Sequence, residues 1–460
     1  MPSSLLLHLL FLSFLRFTSS VPPIGVTYSS VSTTTSTTVP PPPPPNKIST
    51  TISALKFTHV RLPDSDPSLI RSFAFTNTSL FLSIPNTFLP ALASNRSHAL
   101  RWLYRHVLPF YPRSKIALIS VGNAVLDSTG EDFTPFLLPA IRNLHLALQE
   151  LGINKIPIST TFSFFSTITT AFPPSSAQFQ QPAGDLIIKP LLQFLQQTNS
   201  SFLINLYPYN LFRLNSEIPI GFALFQDYPF NFRDDLVTGV RYFNLFDMMA
   251  DAVIAAMAVV GHENIPLIVA ETGWPSGGGD AGEVEANGVY AEMYLKGLVG
   301  RLKSGVGTPL RKDGLAEVYV YELMDHDGVD KEKGRKWGIL SENMTKKYNV
   351  EFSCGAKNFG LTGLLMVVVV VVGVFAASLN LGQWHLTSKV EAILGIGEVD
   401  GLDLDGEGLM GAVTSKISNA VLLICRGIIA VICTRKVSLN FRICYKNKLA
   451  DRKSNLTSDI

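Results

Sequence analysis

The chain has 460 residues, of which 47% are hydrophobic and 16% charged, and its formal net charge is +2. This length can hold one large domain or two to three ordinary ones. The near-neutral charge implies no nucleic acid or other polyanion as a partner. The mean hydropathy of +0.25 is high and indicates membrane segments.

The first 20 residues predict a secretory signal peptide. An apolar run, LLLHLLFLSFL, precedes the small residues TSS, although basic residues are missing before the run. A buried N-terminal helix is the alternative interpretation. Five Asn-x-Ser/Thr triplets fit passage through the secretory pathway as a glycoprotein. They begin at Asn77, Asn95, Asn199, Asn343 and Asn455.

Residues 29–51 have low complexity: a Ser/Thr-rich run leads into six consecutive prolines at 40–45. Such a proline run favours polyproline II and excludes a helix or a central strand. We expect an exposed insertion or stiff loop here, and recognition of the proline motif by another protein is the alternative.

From residue 24 to residue 352, short apolar runs alternate with longer segments of helical spacing. Strands are predicted at 24–28, 57–62, 79–84, 116–121, 156–161, 202–207, 266–270 and 317–321. The clearest helices are predicted at 91–110, 136–151, 243–260 and 286–302. This alternation indicates parallel βαβ units, hence an α/β protein. A domain spanning 21–353, about 330 residues, suits a (β/α)8 TIM barrel. A doubly wound open sheet is the alternative, which the lack of a Gly-rich loop after the first strand disfavours.

All four cysteines lie late in the chain, at Cys354, Cys425, Cys433 and Cys444. The predicted barrel therefore uses no disulfide and no cysteine-ligated metal. We predict no metal, no other cofactor, and a monomer.

Residues 359–381 carry no charge and are numerous enough to span a bilayer. We predict a transmembrane helix there. The small residues SCGA at 353–356 suggest a lipid-anchor signal as the alternative, but such a signal should end the chain, which continues to residue 460. The sequence assigns no role to the tail at 382–460.

A carboxylate ends the seventh predicted strand, in the stretch VAETGWPSGGG at 269–279. Active sites of β/α barrels lie at the C-terminal ends of the strands. Because a charge at a buried strand end is costly unless paired or used, Glu271 is a candidate catalytic residue. Trp274 is a candidate ring for stacking on a sugar. A surface acid at a loop entrance is the alternative.

This stretch resembles the signature of plant glycoside hydrolase family 17, the endo-β-1,3-glucanases. Further stretches resemble that family in order: IGVTY at 24–28, VRL at 60–62 with Asp64, NLYPY at 205–209, NLFD at 244–247 and WG at 337–338. The resemblance covers residues 24–352. It implies a (β/α)8 barrel that binds β-1,3-glucan. It also implies that two carboxylates cleave the glucan with retention of the configuration at the anomeric carbon.

By this resemblance, Glu271 matches the nucleophile, and Tyr28, Asn123, Tyr207 and Trp274 are candidate sugar contacts. The acid belongs at the end of strand four, in the family pattern Val-Gly-Asn-Glu. This chain has VGNA at 121–124, so Ala124 stands where the acid should be.

Two carboxylates follow Ala124 closely, at Asp127 and Glu131. Proton transfer needs a heavy-atom distance of about 2.6–3.2 Å or one bridging water, and we expect both carboxylates to be displaced further. After strand eight, His326 and Val329 match a usual Glu and Lys, and a further usual Glu falls near Gly334.

Three functions remain open at this point. The chain could bind β-1,3-glucan with hydrolysis lost or strongly reduced, since a positioned acid contributes about 10²–10⁴-fold. It could be an active endo-β-1,3-glucanase with a substitute acid, or a non-enzymatic interaction protein at the surface. The signal peptide and residues 359–381 predict the plasma membrane or cell wall, on the extracellular face.

Overall fold

The computed structural model describes residues 21–30, 42–127, 130–279, 282–325 and 334–353. The predicted signal peptide, the Ser/Thr run, the apolar segment at 359–381 and the tail lie outside these residues. Within the described ranges, no helix combines the length and apolarity needed to cross a membrane.

Eight parallel strands close into a barrel, which confirms the predicted (β/α)8 fold. In chain order they are β1 (Ile24–Thr27), β2 (His59–Leu62), β3 (Ser79–Ile84), β4 (Lys115–Asn123), β5 (Ile158–Ser163), β6 (Phe202–Asn205), β7 (Leu267–Thr272) and β8 (Glu317–Val320). Each strand pairs with its sequence neighbours, and β1 pairs with β8 to close the ring. All C-terminal strand ends therefore meet at one end of the barrel.

Helices cover the outside of the barrel and part of its C-terminal end. They are α1 (Pro45–Ala54), α2 (Pro67–Ser72), α3 (Leu89–Ser94), α4 (Arg96–His106), α5 (Thr134–Glu150), α6 (Phe164–Thr167), α7 (Lys189–Gln197), α8 (Pro208–Leu214), α9 (Ile220–Ala223), α10 (Leu245–Val259) and α11 (Gly288–Lys303). A hairpin of two short antiparallel strands, Arg233–Asp235 and Val240–Tyr242, lies between α9 and α10. The helices predicted at 136–151, 243–260 and 286–302 are confirmed as α5, α10 and α11.

Two predictions about local structure were wrong. The single helix predicted at 91–110 is divided at Asn95, which is extended (φ −156°) and accepts a hydrogen bond from the Ser97 amide at 2.8 Å. An asparagine in this role starts a new helix. The insertion predicted at 29–51 ends earlier, because Pro45 opens α1 and Ile48 and Ile52 are buried. Proline is well suited to the first turn of a helix, where its missing amide hydrogen costs nothing.

Large side chains fill the interior of the barrel. The interior cluster consists of Phe81, Leu118, Leu203, Ile268, Ala270 and Tyr319. The barrel is therefore a packed core with no pore, as in other barrels of this class. Any site for a ligand must lie on the loops above this cluster, at the C-terminal strand ends.

Candidate active site

Glu271 lies at the C-terminal end of β7 and is 7% exposed. Arg61 of β2, which is fully buried, donates from Nη1 to its Oε1. The hydroxyl of Tyr207 donates to its Oε2 over 2.6 Å. Burial and the adjacent Glu271 raise the pKa of Tyr207 well above its usual range, so this hydroxyl keeps its proton and remains a donor. Both oxygens of the carboxylate are thus held in place.

A shift in strand pairing directs Glu271 toward the barrel axis. On β6, Asn205 pairs with Glu271 one residue out of step with the pairs before it. Ala270 belongs to the interior cluster, whereas Thr272 contacts Tyr294 of the outer helix α11 through a hydroxyl pair at 2.6 Å. An extra residue of this kind re-aims side chains next to active sites. Regular alternation would have pointed Glu271 away from the axis.

The end of β4 shows a second shift in strand pairing. The backbone there is held by the side chain of Asn86. Asn86 accepts a hydrogen bond from the Asn123 amide at 2.8 Å and donates to the Asn123 carbonyl at 2.9 Å. Gly122 adopts φ +82°, and a Cβ there would lie 2.7 Å from Val125. Asn205 donates to Oδ1 of Asn123 over 3.0 Å. These contacts connect the end of β4 to the strand beside Glu271.

Ala124 follows directly, with its amide bonded to the Thr161 carbonyl at 2.8 Å. Its φ is +48°, in the left-handed region that alanine rarely adopts. Such strain persists where the surroundings enforce it, and it is concentrated at functional positions. The backbone is therefore held in a special conformation to present a side chain that is only a methyl group.

Asp127 and Glu131, the two carboxylates considered from the sequence as replacements, are both exposed. Asp127 closes a short 3-10 turn, Val125–Asp127, and its amide bonds to the carbonyl of Ala124 at 2.9 Å. His326 and Val329 lie outside the described residues. Gly334 is exposed, with φ +62°.

Sequence reasoning missed a second carboxylate at this end of the barrel. Glu322 lies two residues beyond β8 and is 5% exposed. The Leu323 amide, next to Glu322, donates to the carbonyl of Thr27, next to Tyr28, over 2.9 Å, so this carboxylate lies on the segment beside Tyr28. Burial, then Asp64, Asp66 and Glu322, raise the pKa of Tyr28 to about 12. The signal was present in the sequence, because Glu322 follows an apolar strand just as Glu271 ends one.

One side of the site is lined by aromatic rings that we call the aromatic wall: Tyr207, Tyr209, Trp274, Tyr321 and Trp337. Neighbouring ring centroids lie 4.9–6.1 Å apart, mostly in edge-to-face arrangements. Tyr207 and Tyr321 are partly exposed, whereas Trp274 is 1% exposed and donates from Nε1 to the Glu285 carbonyl. Trp274 is therefore a buried member of the wall and packs against the ring of Tyr209.

The candidate sugar contacts thus divide into two groups. Asn123 and Tyr207 are partly exposed beside Glu271 and can reach a ligand. Tyr28 and Trp274 are buried, each 1% exposed. A direct contact of these two side chains with sugar stays a prediction.

The structure thus places a carboxylate held by two donors at the C-terminal strand ends of a closed β/α barrel, the end at which active sites of such barrels lie. The sequence model described as "Glycosyl hydrolases family 17" matches residues 40–352. The chain belongs to this family, as its resemblance to family motifs predicted.

Among curated relatives, "Glucan endo-1,3-beta-glucosidase 2" of Arabidopsis thaliana is 37% identical over 65% of this chain and 59% of its own length. "Glucan endo-1,3-beta-glucosidase 7" of the same plant is 36% identical over 74% of this chain and 66% of its own length. The match thus spans less than two thirds of these relatives. Among solved structures, the β-1,3-glucanase and allergen CJP38 of Cryptomeria japonica pollen is 31% identical, with a TM-score of 0.64 over 72% of this chain and 99% of that chain.

Proposed function

We propose that this protein binds β-1,3-glucan at the C-terminal end of its barrel and hydrolyses it at a strongly reduced rate. The observation that carries the proposal is the contrast between two strand ends. Glu271 keeps both of its hydrogen-bond donors, whereas the strained position 124 presents a methyl group. Relatives that share the barrel are named as glucan endo-1,3-β-glucosidases, which supports β-1,3-glucan as the ligand.

The chemistry of retaining glycosidases explains why the loss at position 124 matters. A carboxylate attacks the anomeric carbon, and a second carboxyl group about 5–5.5 Å away protonates the leaving oxygen. We assign the attack to Glu271. Without a proton donor at position 124, the sugar must leave as an alkoxide, and the loss of the acid costs about 10²–10⁴-fold.

This assignment predicts different behaviour toward substrates whose leaving group needs no proton. With 2,4-dinitrophenyl β-laminaribioside, Glu271 would form an ester to the anomeric carbon while the phenolate departs with the bonding electrons. Water then reacts slowly, because no base at position 124 removes its proton. Azide, which has no proton to lose, would attack the anomeric carbon and release the carboxylate of Glu271.

The experiment measures binding and turnover on the same preparation of the full chain. We expect retardation in gels that contain laminarin, little release of reducing sugar, and a burst of about one dinitrophenolate per protein that azide converts into turnover. Glu271→Gln should abolish the burst. Failure to bind laminarin would contradict the proposal and favour a non-enzymatic interaction protein.

A second function, hydrolysis of β-1,3-glucan at an ordinary rate, is favoured by the buried position of Glu322 near Tyr28. In this case Glu322 would donate the proton in place of the missing acid. Glu322→Gln should then abolish laminarin hydrolysis, whereas Asp127→Asn, at an exposed carboxylate, should leave it unchanged. An inert parent protein would exclude this function.

We also propose that the protein is secreted and held at the cell surface through residues 359–381. The asparagines of four triplets, Asn77, Asn95, Asn199 and Asn343, are exposed in the fold and so accessible to a glycan. Digestion with peptide N-glycosidase should increase the mobility of the protein from plant cells. Truncation after residue 353 should release it from membranes into the medium, and retention of the truncated chain would contradict the anchor.

A further inference from the structure

The loop that follows β7 and the segment that follows β8 are joined by a buried ion pair. Arg335 donates from Nε to Oε2 of Glu283 and from Nη2 to Oε1, both over 2.8 Å. The side chain of Glu283 is 0% exposed and that of Arg335 is 12% exposed. A bidentate pair of this kind fixes orientation as well as distance. We call this pair the cleft latch.

The backbone reinforces the cleft latch. The Ser276 amide bonds to the Lys336 carbonyl and the Lys336 amide to the Gly277 carbonyl, both at 2.8 Å. A Cβ at Gly278 would lie 2.0 Å from the Gly334 carbonyl oxygen, so only glycine permits this approach. Residues 276–278 and 334–336 therefore lie in direct contact beside the cleft latch.

The cleft latch is in direct contact with the aromatic wall. The hydroxyl of Tyr209 donates to Oε2 of Glu283 over 2.8 Å, and the Arg335 guanidinium lies 5.4 Å from the centre of the Tyr209 ring. Tyr209 packs against Trp337 at 5.9 Å, and Trp337 packs against Tyr207 at 5.2 Å. Tyr207 is the residue whose hydroxyl holds Glu271, so two ring contacts separate the latch from the candidate nucleophile.

We propose that Glu283 and Arg335 are positioning residues that set the affinity of the cleft for β-1,3-glucan by fixing the aromatic wall. This inference rests on the proposed function. Glu283 is buried and Arg335 is only slightly exposed, and both act through Tyr209 and Trp337. Stability alone does not account for the pair, because an apolar pair of similar volume is often at least as stabilising as a buried ion pair. What the ion pair adds is one defined arrangement of the two segments.

The matched control is a second, largely buried ion pair, for which the described residues show no hydrogen bond to the aromatic wall. Asp247 and Arg301 pair at 2.7 Å, with side chains 7% and 20% exposed. They line a cavity together with Pro22, which precedes β1, and Gly307, so they lie at the N-terminal end of the barrel. Breaking this pair should cost stability without disturbing the aromatic wall.

The experiment compares Glu283→Gln, Arg335→Lys and Asp247→Asn in the full chain. It uses titration calorimetry with laminarihexaose, near-ultraviolet circular dichroism and thermal unfolding. We expect Glu283→Gln to weaken binding about 10-fold and to change the aromatic dichroism. The substitution changes the group that accepts the hydrogen bond of the Tyr209 hydroxyl, and it removes the negative charge that pairs with Arg335. Arg335→Lys keeps the charge and should give a smaller change in both. Asp247→Asn should lower Tm with binding within about 2-fold of the parent protein.

Unchanged binding and unchanged near-ultraviolet dichroism in Glu283→Gln would overturn the positioning role. Equal effects of Glu283→Gln and Asp247→Asn on affinity would also overturn it, because the effect would then be general destabilisation. Should the parent protein bind no laminarihexaose, the proposed function fails. The dichroism of the three variants still decides whether the latch orders the aromatic wall.

Discussion

The two ends of the barrel use ionisable side chains from the same strand in opposite ways. β2 places His59 at the N-terminal end and Arg61 at the C-terminal end. His59 contacts the Thr58 hydroxyl at 2.9 Å, and its Nε2 lies 3.9 Å from Glu317. Burial, with a smaller contribution from Lys115, lowers the pKa of His59 to about 4, so it is neutral at pH 7.

At the C-terminal end the charge is kept. Arg61 pairs with Glu271, and Tyr207 holds the second oxygen of the same carboxylate. Pairing offsets the cost of burying a charge, whereas burial without close pairing neutralises the group. His59 and Arg61 therefore show that burial alone does not mark a site. At Arg61 the charge is kept because a partner of opposite charge lies beside it.

The largest effect on stability is expected from breaking the ion pair of Arg61 and Glu271 at the C-terminal end of the barrel. Arg61→Met should lower the free energy of unfolding by about 3–5 kcal/mol, because Glu271 would stay buried without its cation. Urea unfolding at pH 7 measures the change. The control is Lys56→Met, which breaks the exposed pair of Lys56 and Glu351, 60% and 65% exposed, and should cost far less because water and salt screen the two charges. Similar costs for the two variants would show that the buried pair is not special.

A smaller loss of stability is expected from His59, at the N-terminal end of the barrel, as the pH falls. The unfolded chain binds a proton at His59 near pH 6.5, but the folded barrel does so only near pH 4. Between these values the unfolded state holds more protons, so stability falls with falling pH. Above about pH 6.5 neither state titrates at His59, and its contribution to the pH dependence vanishes.

The accumulated loss at His59 by pH 4 amounts to about 2–3 kcal/mol. His59→Gln should remove this component, so the stability difference between pH 7 and pH 4.5 becomes smaller than in the parent protein. Urea unfolding at several pH values measures it. An identical pH dependence in both proteins would mean that His59 protonates equally easily in the folded state.

The smallest effect concerns the strain at position 124. Ala124→Gly should raise the free energy of unfolding by about 0.5 kcal/mol, since glycine adopts the left-handed conformation at φ +48° without a steric cost. Ala124→Val should lower it by more than about 1 kcal/mol, because branching at Cβ conflicts with this conformation. Thermal unfolding compares both variants with the parent. If valine were tolerated as well as glycine, the backbone at this position would not be strained.

The sequence was sufficient to predict the barrel because the signals involved are local. Eight apolar runs, separated mainly by helical patterns, match the eight strands, and Glu271 lies at a strand end as predicted. The division of one helix at Asn95 was missed, because its apolar spacing continues through a residue whose side chain caps the following turn.

The arrangement of the site was not predictable in the same way. Two shifts in strand pairing, at the ends of β4 and β7, leave no mark in the residue pattern, yet they decide where Asn123 and Glu271 point. The pairing of Arg61 with Glu271 joins residues 210 positions apart. Such contacts depend on closure of the barrel, and the pattern of either strand alone cannot reveal them.

Laminarin hydrolysis by the full chain, by Ala124→Glu and by Ala124→Glu combined with Glu271→Gln tests whether the missing acid at position 124 limits the reaction. We expect little activity in the parent, a gain of at least about 10²-fold on restoring the acid, and complete loss in the double variant. A parent protein that hydrolyses laminarin as fast as Ala124→Glu would contradict the claim. Another carboxylate, with Glu322 the first to replace, would then supply the proton.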